Sequence, residues 1–424
     1  MEINMEKKGF GVIAFSGRAL SAGVLAFFVA VGAFVAAGCE DRAPDPSSSS
    51  SGSGGDGGAG GSGGAGGGGD EVVCLDAAMF AEHFSINTDV LCAVAIFDAP
   101  LDLSLGAVPN WGRHGGPMTV SLGNGGSLDV ARWEVPAGSM GSLKATVTSI
   151  PAAVPEGAFP GVQAIDLPFF NWTAVSWAGS FPSTEGELVL ADGTAIEQRY
   201  DVQSFFAGVG VAGNAGQGRL LYTGMSPLED PAVSKNALYA ADSCGTEAAM
   251  PRLLPEGDPT CGAPSEIIAW GEFSGPVVAD SDGNVFAVMS SFSSDTQELR
   301  AFEASTVARG ETGAAGSPIL QASGYGTSLA ALAPTEVTSP QPAVRGIVAF
   351  QPISGMDGPQ DVIGQFYVVE GSTVKPWGAE PPDTLLKLAK PGTSLALLSD
   401  DQDRMWVGVP VSGATRFVVL AMKK

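Results

Sequence analysis

The sequence predicts an all-β protein whose folded part is a single β-propeller of about six blades. Glycine (59) and proline (29) are frequent among 424 residues, and both disfavour helices. From Glu71 onward, short apolar or alternating runs bounded by Gly, Pro, Asp and Asn give about 22 strands. Turn centres near Gly283, Pro342 and Gln402 lie about 60 residues apart, which suits four strands per blade. Tandem β-sandwich domains are the alternative, although they need linkers about every 100 residues.

The N-terminal residues 1–38 have the organisation of a secretory signal peptide. Lys7, Lys8 and Arg18 supply positive charge, and residues 19–38 are uncharged and end in small residues before Cys39. About 20 apolar residues also suffice for an uncleaved membrane anchor, which is the alternative. Either Met1 or Met5 can be the start.

The residues around Cys39 resemble the lipobox of bacterial lipoproteins. The segment reads Ala36-Ala-Gly-Cys39, with Ala36 where that family usually has Leu. The resemblance implies that the Cys39 thiol receives a diacylglyceryl group, which makes the membrane a partner through a lipid anchor. Glu40 does not resemble the Asp that retains many such proteins in the inner membrane. We therefore expect a location in the cell envelope, in the outer membrane rather than the inner one.

Residues 39–70 are predicted to be a disordered tether, and residues 71–424 the propeller domain. A serine run and a glycine-rich run leave the segment after Cys39 with almost no apolar side chains to bury, so ordering it has no compensation. No Gly-Lys-Ser/Thr sequence closes the glycine run, which excludes a phosphate-binding loop.

The cysteine content predicts disulfides. With Cys39 assigned to lipid, four of the five cysteines remain, which is an even number for an oxidising compartment. Three pairings are formally possible, and the local one, Cys74–Cys92 with Cys244–Cys261, closes two loops of similar length. A four-cysteine zinc site is the alternative, but C-x-x-C spacing is absent.

Three segments read as hairpins: residues 118–130, 276–288 and 395–409. In the last, Ser399-x-Asp401-x-Asp403-x-Met405-Trp406 resembles the Asp-box of sialidase-type propellers, S-x-D-x-G-x-T-W. Asp403 replaces Gly and Met405 replaces Thr. The Asp-box is a structural turn in that family, so the resemblance implies propeller architecture and hardly implies sialidase activity.

One hairpin tip has oxygen ligands at alternate positions. Asp280, Asp282 and Asn284 flank Gly283, which is partial calcium-loop chemistry without the downstream Glu of an EF-hand. A polar hairpin tip that binds no metal is the alternative. Calcium is the one cofactor candidate, and the same two interpretations apply to the Asp400 turn.

A short helix is predicted over residues 76–84, and the two histidines give little support for catalysis. His83 belongs to that helix, whereas His114 lies in the glycine-rich loop of residues 112–116. A lone histidine in such places is usually solvated. The folded part has no G-x-S-x-G elbow that would support a hydrolase triad.

The charge and the motifs leave two classes of function. The formal net charge is −24, which argues against nucleic acid as a partner. The first class is a non-enzymatic binding or scaffolding propeller, tethered to a membrane, with a protein or glycan ligand. The second is an extracytoplasmic glycan-active hydrolase or lyase on the same fold, whose paired carboxylates leave no sequence signature. The sequence favours the first class and names no catalytic residue.

Overall fold

The structure is a computed structural model in which Asp70–Lys424 form one compact unit. It describes residues 74–100, 109–112, 114–155, 159–166, 172–178, 186–201, 209–212, 219–225, 236–242, 266–270, 273–280, 282–291, 296–304, 316–323, 325–332, 346–354, 358–371, 373–377 and 382–423. The predicted signal peptide, Cys39 and the tether lie outside the described residues.

The described residues form 28 strands and one short 3₁₀ helix, Ala77–Met79. In chain order the strands are β1 (Phe84–Ile86), β2 (Leu91–Ala99), β3 (Asn110–Gly112), β4 (Gly116–Leu122), β5 (Leu128–Glu134), β6 (Met140–Ser142), β7 (Lys144–Ile150), β8 (Phe159–Asp166), β9 (Trp172–Ala178), β10 (Gly186–Asp192), β11 (Ala195–Asp201), β12 (Val209–Ala212), β13 (Arg219–Met225), β14 (Asn236–Asp242), β15 (Glu266–Trp270), β16 (Phe273–Ala279), β17 (Val285–Ser291), β18 (Thr296–Phe302), β19 (Ser317–Ser323), β20 (Tyr325–Leu332), β21 (Gly346–Ser354), β22 (Gly358–Pro359), β23 (Val362–Glu370), β24 (Thr373–Pro376), β25 (Asp383–Leu388), β26 (Ala396–Ser399), β27 (Met405–Val411) and β28 (Ala414–Met422). The all-β prediction is confirmed.

The described strands form six sheets, which we number as blades in chain order. Blades 2, 3 and 4 are four-stranded meanders: β8 to β11, β12 to β15, and β16 to β19. Blade 1 has the order β3-β4-β5-β7. Blade 5 is built on β20-β21-β23-β25 and blade 6 on β26-β27-β28. Neighbouring strands are antiparallel in blades 1 to 4.

The first strands of the six blades form a closed ring. β3 contacts β8, β8 contacts β12, β12 contacts β16, β16 contacts β20, β20 contacts β26, and β26 contacts β3 again. A ring of sheets joined through their first strands is the arrangement of a β-propeller. The blade number agrees with the predicted value of about six, and the ring excludes separate sandwich domains.

Two N-terminal strands close the ring on the outside of the last two blades. β2 pairs with the C-terminal strand β28, with Ile96 opposite Val418, and so supplies the fourth strand of blade 6. β1 pairs with β25 at the outer edge of blade 5, with Ser85 opposite Lys387. The C-terminal strand therefore completes blade 6 together with a strand from the start of the domain. The closure covers sheet edges that would otherwise be free to pair.

The hydrophobic core lies between blades rather than within any one of them. One cluster joins blades 1 and 2, for example through Val130 and Val175, and another joins blades 4 and 5, through Leu299 and Phe350. The junction of blades 6 and 1 is built around Trp406, which is 1% exposed. Its ring lies 5.3 Å from that of Phe97 and 5.1 Å from that of Trp111. The sheets that these clusters join therefore depend on one another for burial.

The predicted helix over residues 76–84 is wrong beyond its first turn. The 3₁₀ helix begins after Asp76, whose side chain accepts a hydrogen bond from the backbone N–H of Ala78. Phe84 is instead the first residue of β1, where it pairs with Leu388 and stacks on Phe80 with ring centroids 5.2 Å apart. Pairing with blade 5 buries both rings, which an isolated helix at the surface would not do.

Candidate functional site

The predicted calcium residues lie in the turn between the first two strands of blade 4. Asp280 Oδ1 accepts hydrogen bonds from the backbone N–H groups of Asp282 (3.1 Å) and Asn284 (2.8 Å). The Asn284 side-chain amide donates to Asp280 Oδ2 at 3.0 Å, and Asn284 Oδ1 accepts from the backbone N–H of Ala304 at 3.2 Å. These contacts belong to a polar hairpin tip. Calcium binding at these three residues stays a prediction.

The same carboxylate joins blade 4 to blade 5. The hydroxyl group of Tyr367, on the third strand of blade 5, donates a hydrogen bond to Asp280 Oδ2 at 3.0 Å. Burial raises the pKa of Asp280, although the hydrogen bonds from Asn284 and Tyr367 oppose that shift. Burial and the adjacent Asp280 charge raise the pKa of Tyr367 well above its ordinary value. The pair is therefore a hydroxyl donor held against a desolvated carboxyl.

The corresponding turn of blade 6 has the same backbone geometry with different partners. Asp400 Oδ1 accepts from the backbone N–H groups of Gln402 and Arg404, both at 2.9 Å. Asp400 Oδ2 accepts from Arg404 Nε at 2.6 Å and from Trp406 Nε1 at 2.9 Å. The third position after the aspartate has positive φ in both turns: 83° at Gly283 and 52° at Asp403. Glycine suits that conformation, and Asp is one of the few other residues that tolerate it.

The aspartate that organises this turn is not the one that the Asp-box resemblance selects. That resemblance places Asp401 at the organising position, but Asp401 is exposed. Asp400 is 5% exposed and makes the hydrogen bonds that close the turn. The geometry therefore does not support the Asp-box correspondence.

A polar cluster lies at the junction of blades 1 and 2. Arg132, on the third strand of blade 1, donates to Asp166 Oδ1 at 2.8 Å across the junction. The same guanidinium group also donates to the hydroxyl of Thr173. Thr173 in turn donates to Asp166 Oδ1 at 3.1 Å. His114 Nδ1 lies 3.9 Å from Asp166 Oδ2, an ion-pair distance that is too long for a hydrogen bond.

The environment of Asp166 favours its charged form. Burial by itself raises the pKa of this carboxyl, but the contacts with His114, Arg132 and Thr173 outweigh it and lower the pKa to about 2. Asp166 is therefore ionised at neutral pH. Its side chain is 11% exposed, so the bond to Arg132 is largely shielded from water.

The imidazole of His114 packs against its own glycine-rich loop and keeps 22% of its side-chain surface exposed. Nε2 lies 3.2 Å from the carbonyl oxygen of Trp133, which can only accept a hydrogen bond. A Cβ at Gly112 would lie 2.4 Å from the ring, and a Cβ at Gly116 would lie 2.0 Å from the Trp133 carbonyl oxygen. Both ring nitrogens thus face oxygen atoms of the protein, so the arrangement suits a packing role rather than proton transfer to a substrate.

Sequence reasoning missed Arg132 and Asp166. A signal was nevertheless present, because an aspartate stands at or directly after the end of the first strand in every second blade: Asp166, Asp280 and Asp400. The pattern becomes visible only once the first strand of each blade is known.

One of the two predicted disulfides is present. Cys74 and Cys92 are joined, with Cα atoms 5.3 Å apart, and Cys92 lies on the closing strand β2. The bond fixes the start of the described domain to the strand that completes blade 6. Cys244 and Cys261 lie outside the described residues, so their pairing stays a prediction.

Two further observations concern the described residues as a whole. They contain no group of three or more His, Cys, Asp or Glu side chains placed to hold a metal ion. None of their helices is long and apolar enough to cross a membrane.

A shallow cavity of about 290 Å³ lies beside β2 and β6, where Met79 and Met140 flank the ion pair of Asp98 and Arg416.

No protein-family profile matches the sequence, and no curated protein matches it. Among solved structures, a Dyadobacter fermentans protein of unknown function is 11% identical, with a TM-score of 0.39 over 78% of this chain and 99% of that one. Extracellular domains 1–2 of Drosophila semaphorin 1b are 11% identical, with a TM-score of 0.39 over 72% of this chain and 73% of that one. A subtype N10 neuraminidase-like protein of A/little yellow-shouldered bat/Guatemala is 9% identical, with a TM-score of 0.37 over 75% and 92%. At these scores the likenesses carry no argument, and the propeller architecture rests on the strand order.

Proposed function

We propose that this chain is a lipid-anchored protein of the bacterial cell envelope whose propeller binds or scaffolds a partner without catalysis. Cys39 is the lipidated residue, residues 39–70 are the tether, and the outer membrane is the location. A flexible tether raises the local concentration of a binding module near a surface without fixing its orientation.

Two features of the chain support the envelope location: the organisation of its N-terminal segment and the disulfide of its folded domain. The positively charged start, the apolar run and the small residues before Cys39 form a secretory pattern. The Cys74–Cys92 disulfide is a bond that persists in oxidising compartments and is rare in the cytoplasm.

The non-catalytic assignment rests on one observation: the buried carboxylates of the candidate site are already used to hold the fold. Asp166 binds Arg132 and Thr173, Asp280 binds its own turn and Tyr367, and Asp400 binds its own turn with Arg404 and Trp406. A catalytic acid or base needs a free position toward its substrate. Each of these side chains accepts hydrogen bonds from at least two neighbouring protein groups, which supports a structural role for it.

Metabolic labelling tests the anchor. Cells expressing the full chain are grown with a clickable fatty-acid analogue. We expect label on the wild type and on a Cys74→Ser control, and none on Cys39→Ser. Equal labelling of Cys39→Ser and wild type would overturn the lipid anchor.

A substrate panel tests the absence of catalysis. The purified chain is given glycan substrates for hydrolysis and for elimination, and we expect no turnover above a heat-denatured control. Turnover that disappears when one carboxylate of the propeller is replaced by its amide would establish the alternative, a glycan-active hydrolase or lyase.

A further inference from the structure

Among the strands that the structure describes, the outer strand of blade 1, β7, has a partner on one side only and so forms a sheet edge. It stands at the end of its sheet and pairs with β5 through seven consecutive residue pairs, without a register shift. Five of its seven side chains are exposed, and Val147 is 57% exposed. Along an antiparallel edge strand, alternate residues direct their N–H and C=O groups away from the sheet, where they are available to another strand.

The outer strands of the other blades carry features that hinder strand addition. A register shift interrupts the outermost pairing of blades 2, 3 and 4, at β10–β11, β14–β15 and β18–β19. β11 also carries exposed Glu197 and Arg199, and β19 contains Pro318. In blades 5 and 6 the outer edges end in the three-residue strands β1 and β6. Bulges, charges, proline and short strands are the usual protections of sheet edges, and β7 has only Lys144 at its start.

The composition of β7 suits pairing with an extended chain. Residues 145–150 are uncharged, and Thr146, Val147, Thr148 and Ile150 are β-branched, which favours strand conformation. Side chains on both faces of the strand are exposed, Thr146 on one face and Val147 on the other, whereas Ile150 at the end of the strand is buried. No bulge interrupts the pairing of β7 with β5.

We propose that β7 is a docking edge for an extended, positively charged segment of a partner protein, which adds to blade 1 as a further antiparallel strand. This inference rests on the proposed binding function. Charge complementarity favours a cationic partner, since residues 71–424 carry 17 basic and 38 acidic side chains, a balance of −21. On the neighbouring strand, Asp129 and Glu134 lie opposite Ser149 and Lys144, near the two ends of β7.

A second copy of this chain is a poorer occupant of the edge. Two domains of charge −21 repel each other. An extended cationic segment avoids this repulsion, because its backbone hydrogen bonds supply affinity and its side chains supply the complementary charge.

Fluorescence anisotropy with a designed peptide tests the edge. The probe has lysine at both ends and alternating Thr and Val between them, over about nine residues, the length of a strand that covers β7. The full chain carrying Val147→Lys is compared with wild type and with Gln321→Lys, which adds the same charge at an exposed position of the outer strand β19. We expect Val147→Lys to weaken binding at least tenfold and Gln321→Lys to change it less than twofold.

Two further probes separate strand addition from simple charge attraction. The same peptide with N-methyl groups on alternate amides keeps its charge but cannot extend the sheet, so we expect at least tenfold weaker binding. A peptide with glutamate in place of lysine should also bind at least tenfold more weakly.

Undetectable binding of the cationic peptide would overturn the inference, as would equal binding of the N-methylated peptide or of Val147→Lys. Sedimentation that showed a wild-type dimer dissolved by Val147→Lys would assign the edge to a second copy instead. Catalytic turnover or a missing lipid would overturn the proposed function without changing any of these binding results.

Discussion

At two blade junctions a buried aspartate binds a side chain of the neighbouring blade, but that side chain is an arginine at one junction and a tyrosine at the other. At the junction of blades 1 and 2, Asp166 ends a first strand and binds Arg132 on the third strand of the neighbouring blade. At the junction of blades 4 and 5, Asp280 follows a first strand and binds Tyr367 on the third strand of the neighbouring blade. The pKa of Asp166 is lowered to about 2, whereas burial raises the pKa of Asp280.

The difference shows that the partner of a buried carboxylate determines the pH range in which the junction is most stable. A guanidinium partner stabilises the ionised carboxylate, so the junction of blades 1 and 2 is most stable at a pH above the ordinary pKa of an aspartate. A hydroxyl partner offsets only part of the desolvation of a charge, so the second junction is relatively stronger when its carboxyl is protonated. The two junctions should therefore respond to pH with opposite signs.

Arg132→Met should have the largest effect. The change removes the cation and leaves Asp166 buried beside Thr173, so we expect a loss of about 3 kcal/mol in the free energy of unfolding at pH 7. Denaturant unfolding followed by tryptophan fluorescence measures it. Arg199→Met is the control, because Arg199 pairs with Glu187 at a more exposed site and should cost less than about 1 kcal/mol. Equal losses for the two variants would contradict the comparison.

We expect Asp166→Asn to lower the free energy of unfolding by about 2 kcal/mol at pH 7. The pKa of Asp166 is about 2 instead of 3.8, and a difference of one in pKa corresponds to about 1.36 kcal/mol. The folded-state pKa lies below the ordinary value of 3.8. The stabilisation is therefore fully present above about pH 4 and is lost as the pH falls through about 2. Unfolding curves of wild type and variant should converge over that interval, and a difference that stayed constant with pH would speak against an ionic junction.

The local parts of this architecture were predictable from sequence. Alternating apolar residues and turn dipeptides predicted the hairpin that the structure forms from β4 and β5, and also the turns at Gly283 and Gln402, because each depends on neighbouring residues. The blade number followed from strand count.

The junctions were not predictable, because they depend on which strands become neighbours in the ring. Arg132 and Asp166 lie 34 residues apart, and Asp280 and Tyr367 lie 87 apart. The hydrophobic periodicity of a strand does not indicate which strand of another blade will become its neighbour. The prediction of a helix over residues 76–84 failed for the same reason, since Phe84 pairs with a strand some 300 residues away along the chain.

Tyr367→Phe removes only the hydroxyl that ties blade 5 to blade 4. A hydrogen bond to a charged acceptor contributes about 1.5–3 kcal/mol, but Asp280 keeps its other donors, so we expect a loss near the lower end of that range. Thermal unfolding at pH 7 measures the loss. The double variant with Asp280→Asn should lose less than the sum of the two single variants, because both changes remove the same contact. Strict additivity would show that the two side chains do not interact.

Asp280→Asn should change the free energy of unfolding at pH 7 the least, by at most about 1 kcal/mol. The variant gives up a charge-assisted hydrogen bond, but it also avoids holding a desolvated charge between two blades. The sign follows from linkage: a carboxyl whose folded-state pKa is raised contributes stability at low pH and loses it as the pH rises through that value. Wild type should therefore lose stability relative to Asp280→Asn as the pH rises above the ordinary value of 3.8, the reverse of the Asp166→Asn series. Unfolding of both variants across one pH series measures the two slopes together. Slopes of the same sign would mean that the charge of the partner does not control these junctions.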